Sequence, residues 1–172
     1  RPSHPVVGDL PAAELVASQE AFLGPRVRAL MVRLEEKDVS TEEHTRRVAE
    51  LAVAIGDELG LAPGRMRDLA LGGLLHDMGK LAVPDAILRK PGALTDEEFA
   101  AIRRHPGDGD ALLADLGFSA RIRRMVRGHH ERLDGSGYPR GLEADQLSIE
   151  TRILAVVDVY DALVSDRVYR AA

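Results

Sequence analysis

The C-terminal end of this chain constrains the fold more than any other stretch. Ser148 offers an N-cap to a strongly apolar run over 149–164, which keeps a helical period yet carries Asp158 and Asp161 among valines, leucines and alanines. An ionised carboxylate on such a helix costs several kcal/mol unless an ion pair or a metal meets it. The rest of the chain must therefore bring a cation to Asp158. Arg152 and Arg167 are the ionic candidates, and a coordinated metal is the other solution.

The remaining sequence is read most simply as more helices. Aromatic residues make up only 3% of the chain, with no Trp, so the 45% hydrophobic fraction must pack as aliphatic side chains between helices. The fold class expected is all-α, a helical bundle, and 172 residues suit one domain. No internal repeat, low-complexity tract or convincing strand is present. Residues 1–11, with three prolines and a glycine, read as a linker holding His4, and 12–36 as a lead-in helix broken near Gly24-Pro25. Ser40 to Glu43 forms a capping box for a helix running to Gly60, which places His44 in a first turn. Pro63 opens the next helix, which ends at His76-Asp77 before Gly79 stops it. A second capping box, Thr95 to Glu98, starts a helix closed by His105-Pro106; short helices follow around Leu112 and from Ser119 to His129-His130. Arg121, Arg123, Arg124 and Arg127 form the solvated face of the last of these. The 131–147 segment has too many glycines and prolines for a regular element.

The chemistry lies in the spacing of imidazoles and carboxylates. Five of the six histidines, His44, His76, His105, His129 and His130, fall at or near predicted helix ends. With Asp77 and Asp158 they offer seven donors, roughly what two divalent ions about 3.5–4 Å apart require. A carboxylate has two oxygens, so Asp77 can bridge two ions while His76 binds one. Lys80, one turn on, points the same way if the helix persists, and a cation beside a dimetal centre suits an anionic substrate. Taken singly, each has a plain reading: a His-Asp dipeptide, helix-terminal histidines, a His pair favoured by a helix dipole. No cysteine is present, so disulfides, thiolate zinc sites and iron–sulfur clusters are excluded. A net charge of −5 offers no field to gather a nucleic acid polymer or anionic lipid. No apolar run spans a bilayer, so the expected location is the cytoplasm. An opening on Arg1 suggests a fragment.

Four segments, HDMGK at 76–80, KPGALT at 90–95, HHERLDGSGYPRGL at 129–142 and RILAVVDVYDALVSDRVYR at 152–170, together resemble the HD-GYP branch of the HD metal-dependent phosphohydrolases. The resemblance covers about 37–170, so the expected division is a lead-in region over 1–36 and an HD-GYP domain over 37–172. It implies hydrolysis of cyclic di-GMP to pGpG or GMP by a metal-bridging hydroxide, with cyclic GMP-AMP as the rival substrate and a non-hydrolytic interaction module as the rival class. The two ions, Fe, Mn, Co, Ni or Zn, would be held by His44, His76 and Asp158 on one side and His105, His129 and His130 on the other, with Asp77 bridging. Asp77 and Lys80 would be catalytic; Lys80, Tyr138, Arg167 and Arg170 would contact substrate; Glu131 and Asp161 would orient histidines. Some relatives carry a glutamate four residues before the first histidine and hold a third metal; Ser40 stands there, so two are expected. The family normally continues past the YR segment into further helices, so elements that pack on the last helix are expected to be missing. A second copy, an upstream sensor domain and a diguanylate cyclase are the partners left open.

Overall fold

The structure, a computed structural model, describes residues 11–38 and 41–165. The lead-in region is two helices, α1 (Ala12–Ala21) and α2 (Pro25–Lys37), because Gly24 is extended and Pro25 opens the second. Both bury apolar side chains, Leu15, Val16, Val27 and Leu34, in the same core as the helices that follow. α3 (Thr41–Glu58) contributes Val48, Ala49, Ala52 and Val53, a stripe at helical spacing. The cap expected at Ser40 lies outside the described residues. α4 (Pro63–Leu75) begins with its proline in the first turn and buries Met66, Leu69, Ala70, Leu74 and Leu75, so it is the central helix, packed against α1, α3, α8 and α9.

Helix α4 stops at Leu75, earlier than Gly79. His76 caps it, and Asp77 leads into a 3-10 helix, Met78–Ala82. Gly79 serves packing: a Cβ on it would lie 1.8 Å from the carbonyl oxygen of His105, so only glycine allows the 3-10 turn to touch the next layer. After α5 (Asp85–Leu88) comes α6 (Asp96–Arg103), whose Thr95–Glu98 capping box is formed in both directions. His105-Pro106 does not merely close α6. It opens α7 (His105–Asp115), with the proline in the first turn where no backbone donor is missed. α8 (Ala120–Gly128) starts at its Ser119 cap. Its arginine face is partly paired, Arg121 with Asp68 and Arg123 and Arg127 with Asp110.

Residues 131–147 form an ordered loop with a cis Tyr138-Pro139 peptide, one isolated antiparallel bridge between Asp134 and Glu143, and a 3-10 turn, Ala144–Gln146. α9 (Ile149–Val164) is capped by Ser148 as expected. One face buries Ile153, Leu154, Val157, Asp158 and Asp161, while Val156, Val159, Tyr160, Leu163 and Val164 stand exposed on the other. Arg152 does not pair with Asp158: its guanidinium donates to the carbonyls of Leu147 and Ala144, and Arg167 lies outside the described residues.

Glu150, buried in the first turn of α9, accepts from Arg65 of α4 at 2.5 Å, and this bond holds its carboxyl below the usual range. Arg65→Ala leaves that carboxylate unpaired and is expected to lower the Tm and the urea midpoint. A depressed carboxylate contributes its stability above the unfolded value, about 4.3, and loses it as pH falls through the folded value. The difference between wild type and variant in urea midpoint should therefore shrink as the pH is taken below 4.

Candidate metal centre

The helix ends set the site. His44 comes from the first turn of α3, His76 and Asp77 from the end of α4, His105 from the start of α7, His129 and His130 from the end of α8, and Asp158 from the middle of α9. His76, Asp77, His105 and His129 are all at most 4% exposed, and three overlapping groups have donors mutually within 4.8 Å: His44–His76–Asp77, His76–His129–Asp158 and His105–His129–His130. His76 and His129 each belong to two groups, so the donors form one continuous cluster.

Hydrogen bonds orient the rings. Nδ1 of His76 lies 2.7 Å from the carbonyl oxygen of Gly73, that of His105 lies 2.8 Å from Ile102, and that of His129 lies 2.6 Å from Val126. A carbonyl only accepts, so each Nδ1 must carry the proton and each Nε2 presents a lone pair. The carbonyls three residues back are among those a helix leaves without partners at its C-terminal end, so a histidine there satisfies one and is aimed by it. His44 follows the same logic with a side chain: its Nδ1 lies 2.7 Å from Oδ2 of Asp161. Asp161 is in turn held by the Arg47 guanidinium at 2.7 and 3.1 Å, a residue the sequence reading did not single out although it follows His44 by three on the same helical face.

These donors are arranged as ligands of a cation would be. Nε2 of His105 and Nε2 of His129 face each other at 3.3 Å with no proton between them, and the buried Nε2 of His76 has no hydrogen-bond partner among the described residues. Nε2 of His44 and of His76 lie 3.1 and 3.7 Å from Oδ1 of Asp158. Asp77 divides its oxygens, Oδ2 lying 3.5 Å from His76 Nε2 and Oδ1 3.5 Å from His105 Nε2. Ligands about 2.1 Å from one ion sit roughly 3.0–3.4 Å apart in octahedral or tetrahedral geometry. The separations, 3.1 to 3.7 Å, lie in or just above that range, and the donors are the neutral nitrogens and carboxylate oxygens that divalent transition metals take. The described residues therefore fit metal ions.

Lys80 reaches Asp77 without a continuing α-helix, because side chains three apart eclipse in a 3-10 turn. Its ammonium lies 2.8 Å from Asp77 Oδ2 and 3.2 Å from Asp38 Oδ2. Burial pulls its pKa down, but the two carboxylates outweigh burial and the net shift is upward. Burial likewise pushes Asp77 up, and Lys80 with the surrounding imidazoles reverses it to well below the carboxylate range. A cleft of about 220 Å³ opens over His44, Asp77, Lys80, His130 and Asp158, with Val159 and Leu163 of α9 as its apolar wall. Glu131, expected to orient a histidine, accepts instead from the backbone N–H of Arg140 and Leu142, at 2.7 and 2.9 Å, and shapes the loop. Tyr138 of that loop stacks on His130, and Arg167 and Arg170 lie outside the described residues. Glu43, beside His44, is 89% exposed and pairs with Arg47, away from the cluster.

Protonation separates the two halves. Burial pushes His105 and His129 down, and it takes His130 to about 4. Burial also pulls on His44, but Asp158 and Asp161 reverse it and raise that imidazole. Below about 6.5 the unfolded chain protonates all its histidines, whereas the buried three stay neutral in the folded protein, so the unfolded state binds more protons. Stability of metal-stripped protein is expected to fall as pH drops from about 6.5 toward 4, with His44 opposing as one group against three. Urea midpoints measured every half unit across that window check it; a midpoint that rose toward pH 4.5 would contradict the assignment.

Together, the helical layers and a buried imidazole–carboxylate cluster at the floor of a cleft define a protein built around metal ligands. The chain belongs to the HD domain family, whose model matches residues 28–172. It is 47% identical over 162 residues to the cyclic di-GMP phosphodiesterase PA4108 of Pseudomonas aeruginosa, covering 92% of this chain and 39% of that protein. It is also 41% identical over 139 residues to the 3'3'-cGAMP-specific phosphodiesterase 1 of Vibrio cholerae, covering 81% and 32%. The chain thus spans about two fifths or less of these relatives. Among solved structures, an HDG"Y"P protein from Bdellovibrio bacteriovorus, Bd1817, shares the fold with a TM-score of 0.65 at 24% identity, over 89% of this chain and 50% of that one. The all-α expectation agrees with that likeness, and no helix among the described residues is long and apolar enough to cross a membrane.

Proposed function

We propose that this domain is a phosphodiesterase that hydrolyses cyclic di-GMP to pGpG, and onward to GMP, with two divalent transition-metal ions drawn from Fe, Mn, Co, Ni and Zn. The observation that carries the reading is the convergence of buried, oriented Nε2 lone pairs and both oxygens of Asp77 beneath one open cleft. His44, His76 and Asp158 would hold one ion and His105, His129 and His130 the other, with Asp77 between them. Ions held there polarise a phosphodiester and lower the pKa of water. With Glu43 paired to Arg47, two ions fit better than three.

The chain's own groups do the rest. Lys80, with its proton held more tightly than in a free lysine, is a fixed positive charge at the cleft and suits an anionic phosphodiester. It serves as electrostatic support and not as the acid that protonates the leaving oxygen. Val159 and Leu163 line the side where a nucleoside would lie, and the arginines at 167 and 170 remain candidates for phosphate by the resemblance alone. A complete donor set argues against a non-hydrolytic module.

The similarity to a cGAMP-specific enzyme supports a second reading in which cyclic GMP-AMP is the better substrate. Side-by-side rates on the two dinucleotides, with products resolved by chromatography and metal content measured on the same sample, decide it. Cyclic di-GMP is expected to turn over faster; a preference for cyclic GMP-AMP would exchange the substrates, and no turnover of either at two bound ions would end the enzyme reading.

A further inference from the structure

Four of the five clustered histidines have Nδ1 fixed by an acceptor, and His130 does not. Among the described residues neither of its ring nitrogens has a hydrogen-bond partner. Its ring touches three others: His129, tilted at 43° with centroids 4.1 Å apart, His105, edge-on at 5.0 Å, and Tyr138, the one that lies nearly parallel, with centroids 4.8 Å apart and planes 22° from parallel. The guanidinium carbon of Arg103 sits 4.6 Å from the centre of the same phenol ring. Tyr138 is tied to His130 a second time, its backbone N–H donating to the His130 carbonyl at 3.1 Å. The preceding Gly137 permits this approach, since a Cβ there would fall 2.4 Å from the nitrogen of Arg132 and 2.5 Å from Cα of Glu131. An imidazole without an acceptor has no hydrogen bond to set its last torsion, where the wells are broad, so the direction of its lone pair is left to packing. The two imidazoles bound the ring from the site side, and the near-parallel phenol fixes the plane in which it lies.

We propose that Tyr138 and Arg103 are positioning residues for the metal-binding nitrogen of His130, the phenol ring acting as platform and the guanidinium as its brace. The proposal rests on the two-ion reading above. It assigns the work of Tyr138 to its ring face and not to its hydroxyl, and it gives a role to Arg103, which stands exposed at the end of α6 with no carboxylate partner among the described residues. A divalent ion on His130 would draw electron density from the imidazole and strengthen its attraction to the π face, so the stack should tighten on loading.

The test titrates metal-free wild type, Tyr138→Phe, Tyr138→Leu and Arg103→Ala with Co²⁺, reading stoichiometry and affinity from the visible absorption and from dialysis. The unfolding midpoint of each metal-free protein reports the fold. Wild type and Tyr138→Phe are expected to bind two ions alike. Tyr138→Leu should weaken one of the two by about 10–100-fold and leave the other, as loss of an orienting group does. Arg103→Ala, an exposed change that leaves the core intact, should weaken the same ion by a smaller factor. Unchanged affinities in both Tyr138→Leu and Arg103→Ala overturn the proposal, as does a Tyr138→Phe that behaves like Tyr138→Leu. A wild type that binds no Co²⁺ instead overturns the two-ion reading itself, so the two failures are distinct.

Discussion

Asp77→Ala is expected to reduce cyclic di-GMP hydrolysis on the order of 10³-fold and to leave at most one tightly bound ion per chain. The expectation follows from the position of its two oxygens, each 3.5 Å from the Nε2 of a different histidine, one on α4 and one on α7. Asp158, by contrast, meets His44 and His76 with the same oxygen, Oδ1. The same residue supplies one of the two acceptors of Lys80, so its removal also frees the ammonium from the position that faces the cleft. Mutating a terminal donor removes one contact, whereas mutating Asp77 removes the link between both groups. Metal analysis and single-turnover hydrolysis on the same preparation check it. Two ions retained with turnover within tenfold of wild type would show that the cluster does not operate as a bridged pair.

The second large effect belongs to a residue with no chemistry of its own. Gly79→Ala sets a methyl group 1.8 Å from the His105 carbonyl oxygen and 2.5 Å from the backbone nitrogen of Gly109, both main-chain atoms that cannot swing aside. Either the 3-10 turn or α7 must move, and overpacking of this kind costs about 3 kcal/mol. For a chain of this size that is a fall of about 6–12 °C in Tm. Because α7 begins at His105 and the turn begins beside Asp77, the same displacement separates two donors that now stand 3.5 Å apart. Metal affinity should fall with stability, and stability should be only partly restored by saturating metal. A variant that melts within 2 °C of wild type would mean that the contact is slack.

Much of the imidazole–carboxylate cluster was legible because its members are the few polar residues placed where apolar helices end. The pairs at 76–77 and 129–130 follow unbroken apolar periodicity, and Asp158 interrupts it, so each stands out against its own element. The capping box at Thr95 and the N-cap at Ser148 were equally local, and the structure forms both. The partner of Asp158 was not local: Arg152, six residues earlier, turns back to the loop, and His44, more than a hundred residues away, takes the place beside it. Glu131 looked like a histidine's partner by adjacency, but its two oxygens fit the N–H groups of a loop whose path no periodicity describes.

The sequence by itself determined the helical class, the residue types available as ligands and their position at element ends, since hydrophobic period, capping and the lack of cysteine are properties of neighbours along the chain. Only the tertiary structure decided which nitrogen faces the site in His44, His76, His105 and His129, that Gly79 is a point of contact and not a stop, and that Asp38, Arg47 and Arg103 belong to the site's surroundings. The reason is that a lone pair's direction and a close approach are fixed by atoms from helices distant in sequence, and no local spacing encodes the angle at which two helices meet.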